Sequence, residues 1–111
     1  MNTCSGVLTV TKRLHPALDE HTAAHVAELF RAFSDTSRVR LLSALSRQET
    51  NVGTLAEMIE ISESAVSHHL RGLRQMGLVV ARRRGREVFY RIVDKHILTL
   101  FEQGVRHVRQ D

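Results

Sequence analysis

Apolar residues recur at spacings of three and four in the first two thirds of the chain, which predicts a series of amphipathic helices. Ordered structure is expected to begin near Asp19, and Asp35, Asn51 and Ser62 each have the polar side chain that caps a new helix. The inward positions of the four helices are Val26, Leu29, Phe30 and Phe33, then Leu41, Leu42 and Leu45, then Val52, Leu55, Ala56 and Ile59, and last Val66, Leu70 and Leu73. Only about residues 60–62 separate the third and fourth helices, and two short helices joined so tightly predict a helix-turn-helix.

After Gly77 the pattern changes to the alternation that is typical of strands. Residues 78–81 are apolar, and in residues 87–92 the side chains of Val88, Tyr90 and Ile92 alternate with Glu87, Phe89 and Arg91. With Arg83-Arg84-Gly85-Arg86 between them, the two runs predict a β-hairpin. Asp94 can then cap a last helix, whose apolar positions are Ile97, Phe101, Val105 and Val108. The predicted order α-α-α-α-β-β-α is mainly α with a small β-hairpin, and it corresponds to a winged helix-turn-helix.

The chain has 111 residues, which is enough for one small domain with a limited core, so burial against a second subunit would add substantial stability. Residues 1–18 show no sustained period and are expected to form a flexible N-terminal arm. Residues 19–111 are expected to form one winged helix-turn-helix domain for DNA binding and dimerisation.

No apolar run approaches the ~20 residues that span a bilayer, and the first residues lack the apolar stretch of a signal peptide. We therefore expect no membrane partner and a cytoplasmic location. The single cysteine, Cys4, excludes an internal disulfide framework and a thiolate metal cluster.

Positive charge is concentrated in one segment of the chain. Between residues 64 and 92 there are seven arginines and one acidic residue, Glu87, although the formal net charge of the whole chain is only +4. Fourteen of the sixteen basic residues are arginine, whose planar guanidinium group matches phosphate oxygens and guanine edges. Surfaces that face only solvent usually mix both signs of charge, so this segment favours nucleic-acid binding.

The fourth helix and the hairpin carry the residues that suit this contact. Opposite its apolar stripe the helix has hydroxyl, imidazole and guanidinium groups, which can reach base edges and phosphates when a helix enters the major groove. The arginine-rich turn can reach the flanking minor groove or the backbone. The predicted contacts are Ser64, Ser67, His68 and Arg71, with Arg74 or Gln75, on the helix, and Arg83, Arg84 and Arg86 on the hairpin. A polar solvent face would explain the helix alone, but it would not explain the hairpin.

The last helix carries a second candidate chemistry. His96 and His107 are eleven residues apart, or about three helical turns, so both side chains emerge on one side and are separated by roughly 16 Å along the axis. They cannot share one ion within one chain. If the helix pairs antiparallel with its copy in a dimer, Asp94 and His96 of one subunit meet His107 of the other, and symmetry generates two identical metal sites. Each residue alone also has a structural explanation, because Asp94 is an adequate helix cap and single histidines are usually structural.

Three stretches of the chain have a distinctive order and spacing. They are Glu28-Leu29-Phe30-Arg31-Ala32-Phe33-Ser34-Asp35 with Arg38 and Arg40-Leu41-Leu42, then Ser62-Glu63-Ser64-Ala65-Val66-Ser67-His68-His69-Leu70, then Gly85-Arg86 before Val88-Phe89-Tyr90. Over about residues 26 to 110 the chain resembles the ArsR/SmtB family of winged-helix metalloregulatory repressors. The resemblance implies a homodimer that is built from the first and last helices and represses transcription on double-stranded operator DNA until an inducer ion weakens DNA binding.

The resemblance also implies metal-site positions, and this chain matches only some of them. The family's site between the last helices uses an Asp-x-His pair, a histidine eleven residues later, and a glutamate or histidine three residues after that. The corresponding residues here are Asp94, His96, His107 and Gln110. Gln110 is a poor substitute because its neutral amide oxygen is a weak ligand for Zn(II), so Asp111, the terminal carboxylate or water are alternative fourth ligands. The family's second site needs cysteine in the third helix, where this chain has Asn51 and Thr54, so that site is expected to be absent.

Nitrogen and oxygen ligands without thiolate favour Zn(II) as inducer, with Co(II) and Ni(II) as alternatives, and disfavour cadmium, lead and arsenic. His15, His21 and His25 are expected to be surface residues, although an N-terminal histidine could complete a six-coordinate nickel or cobalt site.

The predicted function is a metal-responsive repressor rather than an enzyme, with no other protein partner implied. Three alternatives stay open: a repressor of this fold with a nonmetal inducer or no inducer, a constitutive architectural DNA-binding protein, and a metallohydrolase. The hydrolase lacks a separate general base or nucleophile.

Overall fold

A computed structural model of the chain describes residues 17–110, which form five helices and three short strands. In chain order the elements are α1 (Glu20–Ala32), α2 (Thr36–Leu45), β1 (Thr50–Asn51), α3 (Val52–Ile59), α4 (Glu63–Gln75), β2 (Val79–Arg84), β3 (Glu87–Ile92) and α5 (Lys95–Arg109). The helices and the hairpin agree with the sequence prediction, and β1 is an addition. Two residues are too few for an alternating pattern to be recognised, which is why β1 was missed. Most of the predicted arm and residue Asp111 lie outside the described residues, so the division of the chain at residue 18 stays a prediction.

Local side-chain hydrogen bonds determine where the helices begin. Asp35 accepts from the backbone N–H of Arg38 at 3.0 Å, and Ser62 accepts from that of Ala65, also at 3.0 Å. The same arrangement begins the other helices, with the pairs Asp19 and Thr22, Asn51 and Thr54, and Asp94 and Ile97. Each cap satisfies a donor that the first helical turn leaves without a partner. The hydrogen bond from the Arg38 backbone lowers the pKa of the Asp35 carboxyl.

The three strands form one antiparallel sheet in the order β1-β3-β2. Strands β2 and β3 pair from Val79 opposite Ile92 to Arg84 opposite Glu87, and β1 joins the other edge of β3. Gly85 begins the two-residue turn between β2 and β3 with φ of 64°, a left-handed conformation that glycine adopts without steric cost. The arginine-rich end of the hairpin therefore projects as a wing, which we define as β2, β3 and their turn.

The core lies between α2, α3, α4 and the base of the sheet. Its fully buried large side chains are Leu41, Leu42, Leu55, Val66, Leu70, Leu73, Leu78 and Val79. Helix α1 contributes only Ala32 as a buried residue, and within its predicted apolar stripe Val26 and Phe30 are exposed. The apolar stripe of α1 is thus only partly covered by the other residues of the described range 17–110. None of the helices within residues 17–110 has the length and apolar character that a membrane span requires.

Candidate nucleic-acid interface and metal positions

Helix α4 separates a buried face from an exposed face. Val66, Leu70 and Leu73 are buried on the inner face, as the spacing predicts. The predicted contact residues Ser64, Ser67, His68, Arg71 and Arg74 are all exposed. The helix has 13 residues, and the major groove of B-DNA is wide enough to admit a helix. The exposed face of α4 is therefore available to base edges and phosphates.

An open cleft of about 430 Å³ lies between α4 and the wing. It is lined by Ser67, Arg71, Arg74 and Gln75 from the helix and by Tyr90 from β3. Two guanidinium groups beside hydroxyl groups form a donor set that suits a backbone phosphate. The sequence pattern assigned Tyr90 only to the alternation of a strand, so its position in this cleft was not predicted. The register of the sheet accounts for this position, because it places Tyr90 between its partners Ala81 on β2 and Thr50 on β1.

Two polar contacts hold the helix-turn-helix in place. Arg38 on α2 donates from Nε to Nδ1 of His69 on α4 at 3.3 Å, and Arg40 donates to the backbone carbonyl of Ile59 at 2.9 Å. A Cβ atom at Gly72 would lie 2.9 Å from Nη2 of Arg38, so glycine at this position leaves room for the Arg38 guanidinium group beside α4. Sequence analysis missed Arg38 and His69 as positioning residues. A glycine within an otherwise regular helix is the pattern that could have indicated them.

The four arginines of β2 and the turn are not equivalent. Arg82 donates to both carboxylate oxygens of Glu49, at 2.6 and 3.2 Å. Nη1 of Arg84 lies 4.0 Å from the same carboxylate, and its guanidinium carbon lies 4.9 Å from the ring centre of Phe89. Arg83 and Arg86 are exposed near the end of the hairpin. The hydrogen bond from Arg82 lowers the pKa of Glu49, and the carboxylate in turn raises the pKa of Arg82.

The predicted metal ligands lie at the two ends of α5. Nδ1 of His96 is 3.8 Å from Oδ1 of Asp94, and the imidazole is almost completely exposed. His107 and Gln110 are exposed at the other end, and Gln110 ends the helix in a left-handed conformation with φ of 56°. The described part of the chain contains no group of three His, Cys, Asp or Glu side chains arranged to hold a metal ion. One chain thus brings Asp94 and His96 together but leaves His107 apart, and Asp111 lies outside the described residues.

The remaining histidines and the second family position have simpler surroundings. His21 and His25 are exposed on α1, as expected, with their ring centres 4.5 Å apart. Asn51 caps α3 and donates to Glu87 at 3.4 Å, and Thr54 supplies the capped N–H. Cys4 and His15 lie outside the described residues.

Apolar surface remains open along α5. An apolar cleft of about 350 Å³ is lined by Phe33, Val39, Leu100, Phe101, Gly104, Val105, Val108 and Arg109. Val108 is 80% exposed, and Phe30 on α1 is 51% exposed. An exposed apolar patch such as the lining of this cleft usually marks an interaction surface.

Comparison with known proteins agrees with this architecture. A family model described as bacterial regulatory protein, arsR family, matches residues 35–80, which include both helices of the helix-turn-helix. The chain is 48% identical over 88 residues to the transcriptional repressor SmtB homolog of Synechocystis sp., covering 79% of this chain and 67% of that protein. It is 38% identical over 86 residues to the cadmium resistance transcriptional regulatory protein CadC homolog of Staphylococcus aureus, covering 77% and 71%.

Solved structures show the same fold. The solution structure of apo-NmtR has a TM-score of 0.74 and 38% identity, covering 89% of this chain and 83% of that one. A homodimeric winged helix-turn-helix DNA-binding domain from Mycobacterium bovis has a TM-score of 0.73 and 26% identity, covering 87% and 96%. The chain therefore belongs to the ArsR family of DNA-binding winged helix-turn-helix transcriptional regulators, and it is not an enzyme.

Proposed function

We propose that this chain is a homodimeric transcriptional repressor that binds operator DNA through α4 and the wing. In this proposal Zn(II), or Co(II) or Ni(II) in its place, binds between the two α5 helices and releases the operator. The observation that carries the proposal is the distribution of ligands on α5. Asp94 and His96 lie close together and exposed at one end, whereas His107 is exposed at the other, so within residues 17–110 the set is incomplete and a second copy of the helix would complete it.

The open apolar surface supports the dimer. Phe30 on α1 and Val108 on α5 are large apolar side chains that are exposed in the described part of the chain. Burial releases about 25 cal/mol for each Å² of apolar surface, so a second copy seated on this surface would be stabilised by it. The M. bovis relative is named as a homodimer, which favours the same assembly here. Repression is supported by the name of the Synechocystis relative.

The donor set suits a borderline metal ion. Asp94 uses one carboxylate oxygen to cap the N–H of Ile97 at 3.0 Å, which leaves the other oxygen for a metal bond. Asp94 with His96 of one subunit and His107 of the other would supply one oxygen and two nitrogen ligands, a combination that Zn(II), Co(II) and Ni(II) accept. The ion would crosslink the two α5 helices. Since the free energies are linked, a metal ion that favours the DNA-free dimer lowers operator affinity, and operator lowers metal affinity by the same factor.

The CadC homolog of S. aureus is named for cadmium resistance, which supports the proposed metal response of this chain. The ligands proposed here contain no sulfur, and we therefore place Zn(II) before cadmium. The fourth ligand is the weakest part of the set, because Gln110 offers only a neutral amide and Asp111 is the charged alternative.

The experiment follows operator release. A duplex selected from a random pool by the metal-free protein is titrated with protein in the presence of Zn(II), Co(II), Ni(II), Cd(II) or a chelator. Zn(II) is expected to weaken binding about fivefold or more, since allosteric coupling of 1–3 kcal/mol is typical. The double variant His96→Asn/His107→Asn should bind DNA normally and lose this response. His21→Asn/His25→Asn is the matched control, because it removes two exposed histidines from α1 and should keep the response.

Equal operator affinity with every metal and with chelator would reject the metal response. The second candidate, a repressor with a nonmetal inducer or none, would then take its place. The glutamine at position 110 is the observation that favours this candidate, since it leaves the family's ligand set incomplete.

A further inference from the structure

We infer that Glu49 decides which arginines of the wing contact DNA, by holding Arg82 away from the phosphates and leaving Arg83 and Arg86 available. The inference deepens the proposed function, because it rests on the proposal that the wing touches DNA. Arg82 has been counted with the positive segment of the chain, yet it makes a bidentate pair with Glu49, at 2.6 and 3.2 Å. Such a pair uses the same fork of donors that a phosphate would require.

The register of the sheet places Arg82 and Arg84 on one face of the wing and Arg83 on the other. Arg82 lies opposite Phe89, and Arg84 lies opposite Glu87, so the four residues share one face because side chains alternate along a strand. Glu49 reaches this face from the residue before β1, across β3. On this face the negative charges of Glu49 and Glu87 thus offset the positive charges of Arg82 and Arg84.

Arg83 belongs to the other face. It pairs with Val88 and is two residues from Ala81, whose partner Tyr90 lines the cleft against α4. Arg86 lies in the turn at the tip of the hairpin. The face that continues the exposed surface of α4 therefore carries Arg83, with Arg86 at its end, while Arg82 is on the reverse side.

A DNA phosphate can bind Arg82 only by displacing Glu49, and this displacement is unfavourable. A phosphate that took Arg82 would break two charge-assisted hydrogen bonds and leave Glu49 unpaired close to a polyanion. The carboxylate is also partly shielded, because its side chain is only 19% exposed whereas that of Arg82 is 60% exposed. The guanidinium group of Arg84 also has partners within the wing, since it lies near Glu49 and over the Phe89 ring. Arg82 consequently acts on DNA binding only through Glu49.

A double-mutant cycle tests this inference. Binding of Glu49→Gln, Arg82→Gln and the double variant to a random-sequence duplex of about 30 base pairs is measured by fluorescence anisotropy at several salt concentrations. Arg82→Gln is expected to weaken binding about threefold to tenfold, because it leaves the Glu49 charge uncompensated. Glu49→Gln should strengthen binding. The double variant, which removes both charges, should return to within about twofold of the wild-type affinity and salt dependence.

Arg83→Gln is the matched control on the opposite face, since it should weaken binding with or without Glu49→Gln. A double variant that stays as weak as Arg82→Gln alone would make Arg82 a direct phosphate contact and overturn the inference. If Arg83→Gln and Arg86→Gln cost nothing, the wing contact itself is wrong, which is a separate failure. Thermal melts of all variants ensure that only folded proteins are compared, and Glu49→Asp with Arg82→Lys provides a milder second cycle.

Discussion

Helices α4 and α5 carry the two candidate chemistries of this molecule and differ in what surrounds them. Helix α4 buries three residues, and Arg38 fixes it to α2 through His69. Helix α5 is longer, yet it buries only Phe101 and leaves Val108 open to solvent. The helix that we propose to face DNA is packed against its own chain, whereas the helix with the proposed metal ligands keeps apolar surface exposed among residues 17–110. In the proposed mechanism this exposed surface allows α5 to respond to dimerisation and to a metal ion.

The largest expected effect comes from removing the inner face of α4. Leu73→Ala should lower the free energy of unfolding by about 2–5 kcal/mol, since Leu73 is completely buried and the change leaves a cavity. Urea unfolding followed by circular dichroism measures the change. The corresponding truncation on α5, Val108→Ala, should leave the stability of the separated subunit nearly unchanged. A comparable loss in both variants would remove the distinction between the two helices.

The dimer interface is the next target. Val108→Asp places a charge on the proposed contact surface and should raise the dimer dissociation constant about a hundredfold or more, while the subunit stays folded. Thr99→Asp is the matched control, because nine residues rotate a helix by about 180° and place Thr99 on the opposite side. Sedimentation at several protein concentrations distinguishes the two. Dimers of unchanged strength in Val108→Asp would exclude this surface of α5 from the interface.

The shared metal site can be tested with mixed dimers. A dimer of one His96→Ala chain and one His107→Ala chain places both lesions in one site and keeps the other site complete. It should bind one Zn(II) ion with near-native affinity, whereas either homodimer variant should bind two ions weakly or none. Calorimetry on purified mixed dimers counts the ions directly, and failure to recover any tight site would contradict ligand sharing between subunits.

The sequence predicts those features of the fold whose cause is local. The caps Asp35, Asn51 and Ser62 bond to residues three positions away, and the buried stripe of α4 follows from helical spacing alone. It does not predict contacts whose partners are distant along the chain. Arg38 and His69 are 31 residues apart, and Glu49 and Arg82 are 33 apart, so neither contact produces a pattern in the sequence.

Charge alone was also misleading in the wing. The arginines from Arg82 to Arg86 look equivalent as a sequence, but alternation and the nearby Glu49 divide them between two faces. The proposed metal ligands cannot be placed from the sequence alone either. Asp94 and His96 are neighbours in sequence and in space, whereas His107 lies at the other end of α5 and would reach them only in the proposed dimer.

Acid should weaken the N-terminal cap of α2. The backbone N–H of Arg38 lowers the pKa of Asp35 in the folded chain, so this carboxylate stabilises the fold above its unfolded pKa of about 4 and loses that contribution as pH falls through the folded value. Asp35→Asn keeps an oxygen to cap α2 but cannot titrate. The wild-type urea midpoint should fall more steeply between pH 5 and pH 2 than that of Asp35→Asn, with pH values prepared in one buffer series. Parallel curves would show that Asp35 has no part in the acid sensitivity.

The smallest effect is expected at the end of α5, where Gln110 is both a helix terminus and a candidate ligand. Its φ of 56° is a conformation that glycine adopts more readily, so Gln110→Gly should leave the helix end intact or stabilise it slightly, by about 0.5 kcal/mol. The same change removes the side-chain amide, which separates the two roles. If water or Asp111 supplies the fourth ligand, Zn(II) affinity in Gln110→Gly should match the wild type, while Gln110→Glu should bind Zn(II) more tightly because it restores a charged oxygen. Competition with a chromophoric chelator measures both affinities, and a marked loss in Gln110→Gly would identify the amide oxygen as the fourth ligand despite its weak donor strength.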